Sequence, residues 1–318
     1  MRLIRTLGLA AGMMLGASVG AQSAHAQQFI NVLTGGTSGV YYPLGVALSQ
    51  LYGNALPNAK VSVQSTKASA ENLNLLQAGR GEIAFALGDA VSDAWNGVEE
   101  AGFKTKLSKL RGVAAIYPNY IQIVAASDSG IKTLADLKGK RVSVGAARSG
   151  TELNARAIFK GAGMTYDDLG KVEYLPFGES VELIKNRQLD ATLQSAGLGV
   201  ASLRDLANAL QITVVPVSTD VVAKIGDAAY QASVIPANTY QGQTADVPTV
   251  RIRNILVTHS GVSDDAVYAM TKTMFENLDQ LVNAHAAAKG ITKEDAAAVP
   301  LPLHPGAERY YREVGLLK

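Results

Sequence analysis

Twice along this chain an extended apolar run feeds a loop of glycines and hydroxyls, and each loop opens a helix. In the first instance Phe29 to Leu33 enters Thr34-Gly35-Gly36-Thr37-Ser38-Gly39, and Val40, Leu44, Ala47, Leu48 and Leu51 leave it at helical spacing. In the second, Arg141 to Val144 runs into Gly145-Ala146-Ala147-Arg148-Ser149-Gly150-Thr151-Glu152, and Leu153, Ala157 and Ile158 mark the inward face of the next helix. Such a loop gathers unpaired backbone N–H groups and the positive end of a helix at one point, with hydroxyls beside them, which suits an anion. Pro43 has no N–H, so it fits only if the regular helix begins near Gly39 or later. A tight βα connection that binds nothing has the same local sequence, so the loops alone leave both readings open.

The two stretches continue alike. A helix from Asn72 turns at Gly79 into a buried strand, Glu82 to Leu87, which ends at Gly88-Asp89; a helix from Val181 feeds a strand that ends at Ser195-Ala196-Gly197. Helix-turn-strand units are common in α/β proteins, so the match indicates a similar build and not a shared origin. Strand ends and helix starts are where open α/β sheets present ligand groups, which makes Ser69, Asn72, Asp89 and Gln194 candidates, although capping or turn formation is the commoner job for any one of them. Ser69 stands where an N-cap is expected, and Ser149 and Glu152 have capping-box spacing.

A mature chain of roughly 290 residues exceeds one ordinary core, so two lobes are expected. With their loops facing each other, the lobes would enclose a cleft lined by two helix N-termini, suited to a ligand with more than one anionic group. Val113 to Ala126 is a long extended run that suits a strand crossing between lobes, and Val250 to Thr258 could recross. The expected division is residues 27–116 plus 258–318 for lobe I and 117–257 for lobe II. A short helix is expected within Ile131 to Lys140, and a longer one from Asp264-Asp265 carrying Val267, Met270, Met274, Phe275, Leu278 and Leu281 on its buried face.

Residues 1–26 read as a secretory leader: Arg2 and Arg5, an apolar stretch from Leu7 to Val19, and Ala24-His25-Ala26 as cleavage site. That places the mature protein in the periplasm, starting at Gln27. Of 29 basic and 27 acidic residues the leader takes two arginines, so the remainder is balanced and has no polybasic run to favour nucleic acid or anionic membrane. The absence of cysteine excludes disulfides and thiol catalysis. Neither G-x-G-x-x-G nor a phosphate loop ending in Gly-Lys-Ser/Thr occurs. His259, His285 and His304 have no metal-ligand spacing, Ser149 is not in a G-x-S-x-G elbow, and no carboxylate pair can be argued. The chain reads as a binder with no cofactor, not an enzyme.

Six stretches carry a family resemblance: Thr34-Gly-Gly-Thr-Ser-Gly-Val-Tyr-Tyr-Pro43, Ala68-Ser-Ala-Glu-Asn-Leu73, Ser149-Gly-Thr-Glu152, Ile235-Pro-Ala-Asn-Thr-Tyr240, Thr271-Lys-Thr-Met-Phe-Glu-Asn-Leu278 and Pro302-Leu-His-Pro-Gly306. The chain resembles the TAXI-type solute receptors (TRAP-associated extracytoplasmic immunogenic proteins) of tripartite ATP-independent periplasmic transporters. The resemblance implies an α/β, two-lobed periplasmic binding protein fold, type II-like, with a mixed sheet flanked by helices in each lobe and hinge strands between them. It implies a monomeric receptor that captures a small carboxylate, such as glutamate, glutamine or 2-oxoglutarate, and hands it to a TRAP membrane permease with fused subunits, driven by an ion gradient. Carried over by position, the pocket would use Thr37, Ser38 and Tyr41, then Thr66, Ser69 and Asn72, and Ser149, Gly150 and Thr151 across the cleft. Two departures stand out: Asn119 after Tyr117-Pro118, where relatives often carry an acid, and Arg148, where a small residue is usual. Arg148 could clamp a second carboxylate or point into solvent. A sensor subunit that presents its ligand to a membrane kinase is the alternative from another class.

Overall fold

The computed structural model describes residues 27–318, so the expected leader lies outside the described residues. The first half alternates strand and helix: β1 (Gln28–Leu33), α1 (Tyr41–Ala55), β2 (Ala59–Gln64), α2 (Ser69–Gln77), β3 (Ile83–Leu87) and α3 (Gly88–Asn96). β1 lies between β2 and β3, parallel to both. After the long β4 (Leu110–Ala126) the alternation recurs as β5 (Arg141–Ser143), α4 (Gly150–Gly161), β6 (Lys171–Glu173), α5 (Phe177–Lys185), β7 (Ala191–Ala196) and α6 (Ala201–Ala209). β5 lies between β6 and β7, again parallel to both. The likeness of the two glycine-and-hydroxyl stretches thus extends to whole βαβαβα units, each with its first strand in the middle. The chain closes with β8 (Ile212–Val215), α7 (Thr219–Ile225), β9 (Gln231–Ile235), β10 (Val247–His259), α8 (Asp264–Glu276), α9 (Leu278–Ala284) and α10 (Pro305–Glu313).

Two strands join the halves. β10 pairs antiparallel with β3 of the first unit, β4 pairs antiparallel with β7 of the second, and β4 and β10 pair with each other from Leu110 and His259 to Tyr120 and Arg251. The hydrogen-bonded order is therefore β2-β1-β3-β10-β4-β7-β5-β6, a curled mixed sheet with helices on both sides. Nearly every residue of β4 is buried, because helices cover both of its faces, and this is why the run reads as unbroken apolar sequence and not as alternation. Pro118 offers no N–H to the ladder, and a register shift between Arg253 and Ile255 sits beside it. Alternate residues of β4 serve opposite faces. Ile116 and Val124 belong to the apolar layer under α1, α5, α6 and α8, whereas Ala115 and Ile123 belong to the layer under α2, α3 and α4.

Three local expectations change. The helix opened by Asp264 ends at Glu276, and Leu278 starts a separate one, because Asn277 leaves helical geometry at φ −130° and ψ 36°. Between Ile131 and Lys140 only a short 3-10 turn forms, Leu134–Leu137, held by a Thr133–Asp136 capping box. α3, which follows β3 without a loop, was not expected. The three histidines serve the backbone: the ring Nδ1 of His259, His285 and His304 accepts the N–H of Gly261, Ala287 and Gly306 respectively. Burial holds all three below the ordinary imidazole pKa, which keeps the accepting nitrogen unprotonated.

Candidate functional site

A cavity of about 420 Å³ lies between the two halves, within the range of small-molecule sites. Four helix starts surround it: α1 through Gly35–Tyr41, α2 through Ser65–Ser69, α4 through Ser149–Thr151 and α5 through Pro176–Glu179. Leu87, Asn119, Ala146, Ser195 and Ala196 form the rest of the wall. The opposed helix starts touch. A Cβ added at Gly150 would stand 2.4 Å from Ser69 Oγ and 2.7 Å from Leu87 Cδ1, and one at Gly178 would stand 3.4 Å from Ser38 Oγ. The halves meet at these helix starts, beside the cavity.

The first loop has one backbone bond of its own, Gly39 N–H to Gly36 O at 3.0 Å, and its neighbours supply the rest of its support. Ser65 Oγ donates to Gly35 O at 2.8 Å, and Asn72 Nδ2 donates to Thr34 O at 2.7 Å and to Phe85 O at 2.9 Å. Asn72 is fully buried and does not line the cavity; it positions the loop that does. Ser69 is not the N-cap that its sequence position suggests. Ala68, at φ +71°, turns the chain one residue earlier, so Ser69 is the first helical residue and its Oγ accepts Leu87 N–H at 3.1 Å. Thr66 Oγ1 takes over the local capping, accepting Ala68 N–H at 2.9 Å.

In the second loop Ser149 is the N-cap of α4 and its Oγ accepts Glu152 N–H at 3.1 Å. Only half of the expected capping box forms, because the Glu152 carboxylate pairs with Arg156 at 2.6 Å. Gly145 adopts φ +90°, where a Cβ would stand 2.7 Å from Thr151 Cγ2.

Thr37, Ser38, Tyr41, Thr66, Ser69, Ser149, Gly150 and Thr151 therefore come together on one cavity, and four other candidates do not. Arg148 is exposed at φ +64° and lies off the lining. Gln194 faces away: its Oε1 accepts Ser202 Oγ of α6 at 2.7 Å, and Ser195, one residue on, faces the cavity instead. Asn72 acts from behind the loop. Asp89 is buried outside the lining, accepting hydrogen bonds from Tyr230 and Asn154 at 2.6 Å each.

The floor adds Asn254 and Ser195, which sequence reading missed, and Asn119, which it marked only as a departure from relatives. Tyr41 OH donates to Asn254 Oδ1 at 2.5 Å, Asn254 Nδ2 donates to Asn119 Oδ1 at 2.8 Å, and Asn119 Nδ2 donates to Ser195 O at 2.8 Å. This chain of bonds runs from α1 through both crossing strands to β7. An asparagine amid the apolar run of β4 was the available signal for Asn119. The repeat itself signals Pro176–Glu179, since α5 stands in the second unit where α2 stands in the first. Burial raises the Tyr41 phenol far above its ordinary pKa, so it acts as a neutral donor. Among the residues lining the cavity only Lys67 and Glu179 carry charge, and both are exposed at the rim. The interior thus offers hydroxyls, amides and helix-start N–H groups to a ligand, together with the apolar surfaces of Val40, Leu87 and Phe177. No cluster of three His, Asp or Glu side chains placed to hold a metal is found among the described residues, nor any helix long and apolar enough to cross a membrane.

Solved structures share this fold. The alkanesulfonate-binding protein of Xanthomonas axonopodis pv. citri, solved with MOPS, is 15% identical with a TM-score of 0.50, over 89% of this chain and 83% of that one. An ancestral arginine-binding protein bound to arginine is 16% identical at a TM-score of 0.50, over 84% and 100%. The binding component of an ABC phosphonate transporter from Pseudomonas aeruginosa is 12% identical at 0.52, over 84% and 80%. At such identity the likeness establishes the fold, which is the two-lobed α/β fold of periplasmic binding proteins. Residues 32–315 match the NMT1-like family, and the chain belongs to that family.

Proposed function

We propose that the protein is a periplasmic solute receptor that closes over a small carboxylate and delivers it to a membrane transporter. One observation carries this reading: four helix starts and a set of neutral hydroxyls converge on one cavity between two topologically equivalent halves. In this reading residues 27–116 plus 258–318 form one lobe and 117–257 the other, with β4 and β10 as the hinge. The ligand's charge is met by N–H and O–H donors, as the uncharged interior requires. Glutamate, glutamine and 2-oxoglutarate have suitable size and chemistry. The TAXI-like stretches favour an ion-driven TRAP permease as partner, with the receptor a monomer. The fold shared with the binding component of an ABC phosphonate transporter supports a second reading, delivery to an ATP-driven permease.

Thermal unfolding of the mature protein tests the class of ligand. L-glutamate, L-glutamine or 2-oxoglutarate at saturation should raise the midpoint by several degrees, since a ligand at about 100 times its Kd adds ~2.7 kcal/mol. A shift with alkanesulfonates or phosphonates alone would overturn the carboxylate assignment. Recovery of the ligand unaltered after long incubation separates a receptor from an enzyme. Uptake into vesicles bearing the permease, driven by an ion gradient or by ATP, decides the partner, and no uptake with a response from a membrane kinase would favour the sensor role.

A further inference from the structure

Behind the cavity the halves meet a second time, around a carboxylate shut away from water. Asp89 stands in the first turn of α3, in the first unit, and is 3% exposed. Its Oδ2 accepts the Tyr230 hydroxyl and Asn154 Nδ2, and Asn154 Nδ2 also donates to the Tyr230 oxygen at 2.9 Å, closing a triangle. Asn154 is fully buried on α4, the helix whose first residues line the cavity from the second unit, and Tyr230 precedes β9. Asp89 Oδ1 and Asn154 Oδ1 have no hydrogen-bond partner among the described residues. The triangle thus holds more acceptors than donors.

Among the described residues no cation pairs with the carboxylate. The charged groups that face it are acids, Asp93 on its own α3 and Asp227 in the turn after α7; the nearby Tyr230 and Tyr41 are phenols held neutral by burial. A buried carboxylate without a counter-charge works against the state that buries it. Parting the halves would separate Asp89 from Asn154 and admit water.

We propose that Asp89 is a closure latch, a residue that touches no ligand yet sets how firmly the cleft holds one by linking the two halves only when they are closed. The proposal rests on the reading of the cleft as a hinge-closing site. Burial, opposed in part by the Tyr230 hydrogen bond, pushes the Asp89 carboxyl from its ordinary 3.8 up to about 6 in the closed form. Water returns it toward the ordinary value in the open form. Closure therefore takes up a proton between these two pH values. The closed form is least favoured above pH 6 and gains as pH falls, by about tenfold at pH 5 and up to roughly a hundredfold at full protonation. The proton also supplies a donor that the triangle lacks.

The chain has no cysteine, so a single pair of spin labels can be placed without background. Gln50→Cys on α1 and Lys160→Cys on α4 are exposed positions in opposite units. The distance distribution between them reads closure in the mature protein with no ligand added, after circular dichroism has shown each variant folded. The closed-to-open ratio should rise about tenfold from pH 8 to pH 5. Asp89→Asn, neutral at every pH and of the same shape, should be flat with pH and more closed than the parent at pH 8. Tyr230→Phe should be less closed at all pH values while keeping a pH slope. Equal pH profiles in the parent and Asp89→Asn, or an Asp89→Asn that is more open at pH 8, would overturn the latch. A single unchanging distance in every variant would overturn hinge closure itself, and the latch with it.

Discussion

Each hydroxyl in the cavity has a distinguishable duty. Ser149 accepts Glu152 N–H as an N-cap and also lines the cavity, whereas Ser38 lines it from the opposite loop. Charge-assisted bonds of this kind contribute about 1.5–3 kcal/mol each, so Ser38→Ala and Ser149→Ala should each weaken ligand binding by roughly tenfold to a hundredfold in calorimetry. Ser149→Ala should in addition lower stability by about 1 kcal/mol through the lost cap. Arg148→Ala should leave affinity and its salt dependence unchanged, because the side chain is exposed and off the lining. Arg148→Gly should raise stability by up to about 1 kcal/mol in urea titration, since φ +64° costs glycine little. Loss of binding in Arg148→Ala, with both serine variants binding normally, would reverse these roles.

Two glycines separate contacts within an element layer from contacts between halves. A Cβ at Gly45, in α1, would stand 2.3 Å from Thr34 Cγ2, and Thr34 is pinned to Gln64 O through both its N–H and its hydroxyl. Gly45→Ala should therefore cost about 1–2 kcal/mol of stability, despite the better helix propensity of alanine. At Gly150 the clash is with Ser69 and Leu87 of the other unit, and the halves can relieve it by parting. Gly150→Ala should keep the parental urea midpoint and lose binding by more than about tenfold, as the price of a closure that no longer completes. If Gly150→Ala instead unfolds the protein, the contact belongs to a permanent core and the hinge is misplaced.

At the scale of the molecule, the hydrogen-bonded sheet is continuous through β10 and β4, so motion between the halves must bend those two strands and cannot slide one core over another. The bonds from Tyr41 through Asn254 and Asn119 to Ser195 cross those two strands and link the cavity floor to both halves. X-ray scattering should show a larger radius of gyration for the ligand-free protein than for the ligand-bound one, with the bound curve fitting the closed structure. Curves that superpose with and without a stabilising ligand would exclude closure as the binding step.

The repeated strand, loop and helix were legible because they rest on local physics: period-2 runs, helical spacing, and glycines where backbone must approach closely. The same signals marked the two loops, and the family resemblance picked out Thr37, Ser38, Ser149, Gly150 and Thr151 on them. What needed tertiary structure was every feature set by a partner distant in the chain. Gln194 and Ser195 exchange roles because strand pairing decides which face of β7 meets the cavity. Asn119 gains its place from Asn254, 135 positions away, and Asp89 is buried by residues 65 and 141 positions on. Sequence alone determined the units and the groups they carry; the pairing of β4 with β10 decided which of those groups face the cavity and which are buried between the halves.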